Sequence, residues 1–298
     1  MIYINLNSEL RALNALAKKV CRRKSMEHFE IFKACFPELE LSEAVFNRLA
    51  KITRESLLEY WEKGRLLGYA VAEKGNLRLL CVLPAYQKRG IGAKLLRLSE
   101  ERARQGGAEN MTVGGGGSHL FPGMPDKARG FFEKNGYTVG GGYEEMKGDL
   151  TSFRASDYDL SVPTGVTFGW YHGPLEALQK DVAAVDETWV QYFGKDTPTF
   201  CATVDGEIAS FCNVDVWENC LLSNGKNKVG APGCVGTVPQ FRKKGIGLKM
   251  VALACEELKK QGCDTCFIHY TGVGRWYARL GIETFLAWHF CEKRLRAE

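Results

Sequence analysis

The sequence predicts a layered α/β protein built from two similar domains in tandem, and three observations carry that reading. The chain has 298 residues, about twice the roughly 100–150 residues of a usual domain. A ten-residue segment near position 85 recurs near position 240. Around each copy, apolar runs of strand length alternate with amphipathic stretches of helix length, the pattern of a layered α/β unit.

The repeat justifies the elements one by one. Leu83-Pro84-Ala85-Tyr86-Gln87-Lys88-Arg89-Gly90-Ile91-Gly92 matches Val238-Pro239-Gln240-Phe241-Arg242-Lys243-Lys244-Gly245-Ile246-Gly247. An apolar run precedes each, Leu77–Val82 and Cys234–Val238, and predicts a strand. An amphipathic stretch follows each, Ala93–Gln105 before Gly106 and Leu248–Gln261 before Gly262. Leu95, Leu96 and Leu98, and then Met250, Val251, Leu253 and Leu258, fit one buried helix face closed by a glycine. Short strands over Glu109–Val113 and Asp264–Tyr270 come next, then second helices over Ala128–Asn135 and Gly274–Leu280, each stopping at a glycine. Gly90 and Gly245 are 155 positions apart but Phe132 and Tyr277 only 145, so the first half carries ten extra residues. They include Gly114-Gly115-Gly116-Gly117-Ser118-His119-Leu120-Phe121-Pro122-Gly123. The polar stretch Gly148–Gly165 places the division, with one domain over 1–150 and the other over 160–298.

Composition excludes several classes. Hydrophobic residues make up 45% and charged residues 25%, which excludes a disordered tail, a collagen and a small disulfide scaffold. No apolar run approaches the roughly 18 residues that span a bilayer, and Met1-Ile2-Tyr3-Ile4-Asn5 lacks a secretory layout. A cytoplasmic location is expected. The 11 cysteines are odd in number and eight follow residue 200, in apolar segments around Cys201, Cys212 and Cys255. Reduced, buried thiols are the expectation, with Cys263-Asp264-Thr265-Cys266 as core thiols rather than a metal or redox motif. No second ligand pair accompanies that CxxC, so no metal is expected. The net charge of +5 is a small excess of 40 basic over 35 acidic residues. The basic run Lys18-Lys19-Val20-Cys21-Arg22-Arg23-Lys24 reads as a solvated helix face, with no aromatic interleaving to suggest nucleic acid.

The repeated turn carries the chemistry. Glycines between a strand and a helix let the backbone turn tightly and approach a ligand. The free amides of the helix start then make a phosphate or diphosphate site, with Arg242, Lys243 and Lys244 adding positive charge. A Rossmann fingerprint is excluded because Leu95 and Met250 stand where its last glycine would be, and a Walker loop because neither copy has Gly-Lys-Ser/Thr.

At Gln87/Arg89-Gly90-x-Gly92 and Arg242-x-x-Gly245-x-Gly247 the chain resembles the GNAT superfamily of acetyl-CoA-dependent N-acyltransferases, duplicated in tandem. The segments Gly130-Phe131-Phe132-Glu133-Lys134-Asn135-Gly136-Tyr137 and Arg275-Trp276-Tyr277-Ala278-Arg279-Leu280-Gly281-Ile282 look like that family's closing aromatic segment. The resemblance covers about half of each repeat. It implies an α+β mixed sheet, mostly antiparallel and flanked by helices, in each domain. It also implies acetyl-CoA as cosubstrate, bound by Val235, Gly236, Thr237, Val238, Arg242, Lys243, Lys244, Gly245, Ile246 and Gly247, with Gln87, Arg89, Gly90 and Gly92 as the first-half counterparts. Val235 would polarise the acetyl carbonyl.

The same resemblance gives Tyr277 the role of acid toward the leaving thiolate. The first half has Phe132 there, which has no proton to give, so the second half is expected to be the catalytic one. A glutamate that some members place just before the polarising residue is replaced by Cys234, and by Leu79 in the first half, which leaves the base open. His269 near the end of its strand suits that role by its pKa range. Asp215 and Glu218 could anchor a cationic amine or relay its proton, and His119 is a further candidate. The Gly-rich loop with His119-Leu120-Phe121-Pro122-Gly123-Met124-Pro125, together with the tandem layout, is similar to bacterial glucosamine/glucosaminide N-acetyltransferases. That implies a small-molecule amine partner, an amino sugar, with Trp217, Tyr270 and Trp276 as possible sugar-facing rings. The alternatives are an aminoglycoside, a thiol-conjugate amine or a protein amine, or a coenzyme-A-binding sensor that turns nothing over.

Overall fold

In the computed structural model, which describes residues 27–115 and 120–295, the described chain up to Gly140 forms one compact unit with the residues from His289 onward. Gly141–Trp288 forms the second. The basic run at Lys18–Lys24 and the loop residue His119 lie outside the described residues.

The first unit opens with helix α1, residues 27–35, and α2, Glu43–Ala50. Ser42 caps α2, its hydroxyl accepting from the Val45 amide at 3.3 Å. Strands β1 (Leu57–Glu62), β2 (Arg65–Glu73) and β3 (Asn76–Val82) follow as an antiparallel meander. Lys63-Gly64 and Lys74-Gly75 turn its hairpins with both residues at positive φ, the two-residue turn whose twist matches the strands. Helix α3 (Ile91–Gln105) crosses to β4 (Asn110–Val113), which runs parallel to β3. The short strand β5 (Met124–Pro125) and helix α4 (Arg129–Lys134) lead to strand β6, Thr138–Asp149.

The second unit repeats the plan. It holds β7 (Val166–Trp170), α5 (Leu175–Ala183), a 3-10 turn over Glu187–Tyr192, and the antiparallel strands β8 (Thr199–Val204), β9 (Glu207–Trp217) and β10 (Val229–Thr237). Helix α6 (Ile246–Lys260) crosses to β11 (Thr265–Thr271), parallel to β10, and α7 (Gly274–Tyr277) precedes the last strand, β12, Glu283–Arg294. Within each unit the strand pairing is thus mixed but mostly antiparallel.

Unit membership follows strand pairing rather than sequence order. β6 contributes Gly141–Asp149 to the second unit, where it pairs antiparallel with β11. β12 contributes its end to the first unit, where Glu292–Arg294 pair with Asn110–Thr112 of β4. A partly buried ion cluster, with Glu100 buried and Lys293 27% exposed, holds that end in place. Lys293 Nζ donates to both oxygens of Glu100 on α3 at 3.0 and 3.1 Å, and to the Asn135 carbonyl at 3.0 Å. Tyr137 donates to the same carboxylate at 3.1 Å. Lys293→Met should therefore cost toward the low end of the roughly 3–5 kcal/mol of a broken buried pair, since Arg104 stays 3.6 Å from Glu100. Urea unfolding should show this as a lower midpoint at unchanged slope.

Both predicted helices α3 and α6 start two residues earlier than the amphipathic pattern alone indicates, because the turn glycine itself is the N-cap. β10 starts five residues earlier than the apolar run, at Val229; Gly230, Pro232 and Gly233 interrupt its pattern, but pairing with β9 carries it. The ten described cysteines are all free, and Cys255 and Cys266 lie fully buried with sulfurs 3.8 Å apart. No helix among the described residues is long and apolar enough to cross a membrane.

Candidate active site

The two repeated turns have the same construction. In each, a 3-10 turn, Pro84–Tyr86 or Pro239–Phe241, follows the strand. Gln87 Nε2 then donates back to the Val82 carbonyl at 3.0 Å, and Arg242 Nε donates to the matching Thr237 carbonyl, also at 3.0 Å. The first residue of the motif therefore fastens the turn to its strand. Gly90 and Gly245 sit at φ +83° and +77° as N-caps of α3 and α6, with no side chain capping either helix. The first amides of both helices are left to an outside acceptor beside the positive end of the dipole. Lys243 and Lys244 are exposed at the second turn. Arg89 at the first lies over the Tyr86 ring and 3.6 Å from Glu62.

The second unit packs this turn tightly on its strand. A Cβ at Gly247 would stand 2.6 Å from Thr237 Oγ1, and one at Gly236 would stand 2.3 Å from the Phe211 ring. Ser210 donates to the Gly236 carbonyl at 2.6 Å, so the Thr237 hydroxyl, 3.0 Å away, is the donor to Ser210.

The strands part beside this turn. β10 and β11 pair only at Val229↔Thr265 and Gly230↔Cys266, although they run on to Thr237 and Thr271. Along the open stretch β10 bulges at Cys234-Val235, with Cys234 at φ +46°. Gly236 and Thr237 pair with β9, and nothing pairs with Val235–Thr237 on the β11 side, leaving polar groups for a ligand that enters the gap.

Each face of the gap has its own side chains. On the α6 face Tyr277 is buried among the thiols of Cys212, Cys234, Cys255 and Cys266, and burial pushes its phenol well above the usual range. Its hydroxyl makes no hydrogen bond to the described residues, and its ring stands edge-on to Trp276. Trp276 packs on the α6 core and lies 3.5 Å from the Cβ position of Gly247, so it belongs to the turn rather than to a sugar face.

On the other face, Asn213, Asp215 and Trp217 alternate along β9. Trp217 meets Phe267 and His269 of β11 at ring distances of 5.5 and 5.6 Å. Burial raises the half-buried Asp215 carboxyl above its ordinary value. Asn213 donates from Nδ2 to the Tyr192 carbonyl at 3.1 Å, while its buried Oδ1 has no partner. Opposite it, Gly233 has nothing within 4 Å of its Cβ position, a bare patch of sheet. Glu218 is exposed.

His269 Nδ1 lies 2.7 Å from Oε2 of Glu145, a carboxylate with no exposed surface. Oε1 of Glu145 accepts from Trp288 Nε1 at 2.8 Å and from the Tyr270 amide at 3.3 Å. Tyr143 stacks on Tyr270 at 4.3 Å. Sequence reasoning did not single out Glu145, Asn213 or Gly233. A carboxylate inside the strand Tyr143-Glu144-Glu145-Met146 was the one available signal, and it names no partner.

The first unit differs where the second is equipped. Phe132 packs in its core with Phe131 and Tyr137. Leu79 and Leu80 replace Cys234 and Val235, and the Val82 carbonyl also accepts from Cys35 Sγ at 3.2 Å. Among the described residues no group of three or more His, Cys, Asp or Glu side chains is placed to hold a metal ion.

Comparison with known proteins finds two family models along the chain, an acetyltransferase (GNAT) domain over residues 54–139 and the acetyltransferase (GNAT) family over residues 167–292. No curated protein matches the sequence. Among solved structures, the chain is similar to a GCN5-related glucosamine N-acetyltransferase region of a fungal multi-domain GH3 β-N-acetylglucosaminidase, with TM-score 0.62 and 21% identity. That match covers 89% of this chain but only 36% of the fungal protein. A GCN5-related N-acetyltransferase from Sphaerobacter thermophilus gives TM-score 0.63 at 16% identity, covering 90% and 91% of the two chains. A tandem GNAT protein from the clavulanic acid biosynthesis pathway gives 0.58 at 14%, covering 93% and 96%.

Proposed function

The chain belongs to the GNAT acetyltransferase family, with two such domains in tandem, and from that premise we propose that it acetylates the primary amine of an amino sugar in its Gly141–Trp288 unit. One observation carries the reading: where β10 and β11 part, a histidine held by a buried carboxylate faces one side and a buried tyrosine the other. The first unit has Phe132 in place of that tyrosine.

GNAT domains in general use acetyl-CoA, which supplies the activated acyl group. The second turn fits its anionic part, since the uncapped start of α6, Gly245, Ile246 and Gly247 provide amides and Arg242, Lys243 and Lys244 provide charge. The stretch Val235–Val238, without a partner on its β11 side, would hold the amide-bearing arm, with the Val235 amide toward the acyl oxygen. His269 Nε2 takes a proton from the attacking nitrogen, and Tyr277 Oη donates a hydrogen bond to the departing sulfur. As the C–N bond forms and the C–S bond breaks, a cationic amine gives up two protons: one makes good the proton that Tyr277 passes to sulfur, and the other leaves to solvent through His269. Gln87, Arg89, Gly90 and Gly92 build a like turn in the first unit, to which we assign a supporting rather than a catalytic part.

The acceptor side supports an amino sugar. The bare surface at Gly233 shares its face of the sheet with the Asp215 carboxylate and the Trp217 ring, which suit a cationic sugar ring. The fungal region of similar fold is named for glucosamine. The test is thiol release from acetyl-CoA with glucosamine, chitosan oligomers, an aminoglycoside, spermidine and a lysine peptide. Turnover led by glucosamine or its oligomers is expected. Turnover led by the peptide would move the substrate to protein amines, and acetyl-CoA binding without release to any amine would make the chain a sensor.

A further inference from the structure

The pairing of β6 with β11 brings Glu145 beside His269, 124 positions away in sequence. Both belong to the Gly141–Trp288 unit. We propose that Glu145 is a positioning residue for acetyl transfer, fixing His269 as the Nδ1–H tautomer so that the Nε2 lone pair faces the gap. This rests on the reading of His269 as the base.

The donors and acceptors around Glu145 fix which nitrogen of His269 carries the hydrogen. The backbone amide of Tyr270 and the indole of Trp288 can only donate, and both are directed at Oε1 of Glu145. Its Oε2 is left for one neighbour, His269 Nδ1 at 2.7 Å. The site is closed to water on the Glu145 side, since that side chain has no exposed surface while His269 keeps 28% of its own. A carboxylate with two donors already on one oxygen serves the imidazole as an acceptor, so Nδ1 carries a hydrogen and, in the neutral ring, Nε2 is the bare nitrogen. The ring is also held from the side by Trp217 and Phe267, each 5.6 Å away by centroid. Its orientation and its tautomer are therefore both set by neighbours rather than by solvent.

In Glu145→Gln only one oxygen remains, and Trp288 and Tyr270 together require it. The amide NH₂ is then turned toward His269, where Nδ1 must accept. The hydrogen moves to Nε2, and the lone pair disappears from the gap although size, shape and packing are kept.

The experiment is long-range 1H–15N NMR of the full chain labelled at its 5 histidines, with His269 assigned by its absence in His269→Asn. At a pH where its ring is neutral, wild-type His269 is expected to carry its hydrogen on Nδ1, a result that needs no variant to fold. Glu145→Gln should show Nε2 protonated and a kcat lowered by at least about 10²-fold, with KM for acetyl-CoA within a few-fold. Wild-type His269 protonated at Nε2, or an unchanged tautomer in Glu145→Gln, overturns the proposal. A switched tautomer with undiminished turnover upholds the tautomer assignment, overturns the catalytic part, and removes His269 as the base.

Discussion

Tyr277→Phe is expected to lower kcat by on the order of 10²–10⁴-fold, the range for losing a positioned acid or hydrogen-bond donor, while acetyl-CoA binding stays within a few-fold. The change removes one oxygen and leaves the ring. Phenylalanine already fills the matching place in the first unit at Phe132, so the packing tolerates it. The hydroxyl has no hydrogen bond within the described chain, so folding loses little when it goes. Its pKa sets the form of the pH dependence. Burial raises the phenol above its ordinary value near 10. The active form is the protonated one, and a raised pKa keeps it protonated through all the usual working range. A fall in rate between about pH 8 and 10 should therefore persist in the residual activity of Tyr277→Phe, because it does not come from this phenol. Initial rates of thiol release against pH for both proteins check magnitude and shape together.

His269→Asn is the second large effect, with an expected loss of about 10²–10⁴-fold in kcat/KM near neutral pH. Asparagine keeps an amide nitrogen near the position of Nδ1, so the buried Glu145 carboxylate is not abandoned; Trp288 and Tyr270 continue to donate to it. What is lost is the acceptor on the far side of the ring. The defect should shrink as pH rises, because more of the amine then arrives unprotonated and asks less of a base. A pH series of kcat/KM for glucosamine reads this directly. A loss that is constant with pH would mean that His269 orients the acceptor instead.

The parts of this protein that were legible in its sequence are those set by local geometry. The turns at Gly90 and Gly245 repeat because a positive φ, a strand carbonyl and a helix start must coincide within ten residues, so the same residue types recur at one offset. From those turns and the closing aromatic segments, the duplicated mixed α/β fold and its family follow. The course of β10 was only half legible, since Val229-Gly230-Ala231-Pro232-Gly233 has neither alternation nor β-branched density and is a strand through its pairing with β9. His269 and Asp215 could be named as polar residues on strands, but their neighbours could not. Glu145 was out of reach for a topological reason. A repeat suggests that each half closes on itself, whereas β6 enters the unit built mainly from the second half. Asn213 and Gly233 are uninformative as residue types, and only their register shows an orphaned acceptor beside a bare patch of sheet.

Acetyl transfer in the second half of the duplicated chain can be read from thiol release with subsaturating acetyl-CoA and glucosamine, on Gly90→Ala and Gly245→Ala side by side. Each places a Cβ at a strongly positive φ, and at Gly245 that atom would also stand 2.5 Å from the Ser161 carbonyl oxygen. Circular dichroism would confirm that both remain folded. Gly245→Ala is expected to lose most of its turnover and Gly90→Ala to keep most of it; the reverse pattern would place the chemistry in the first half.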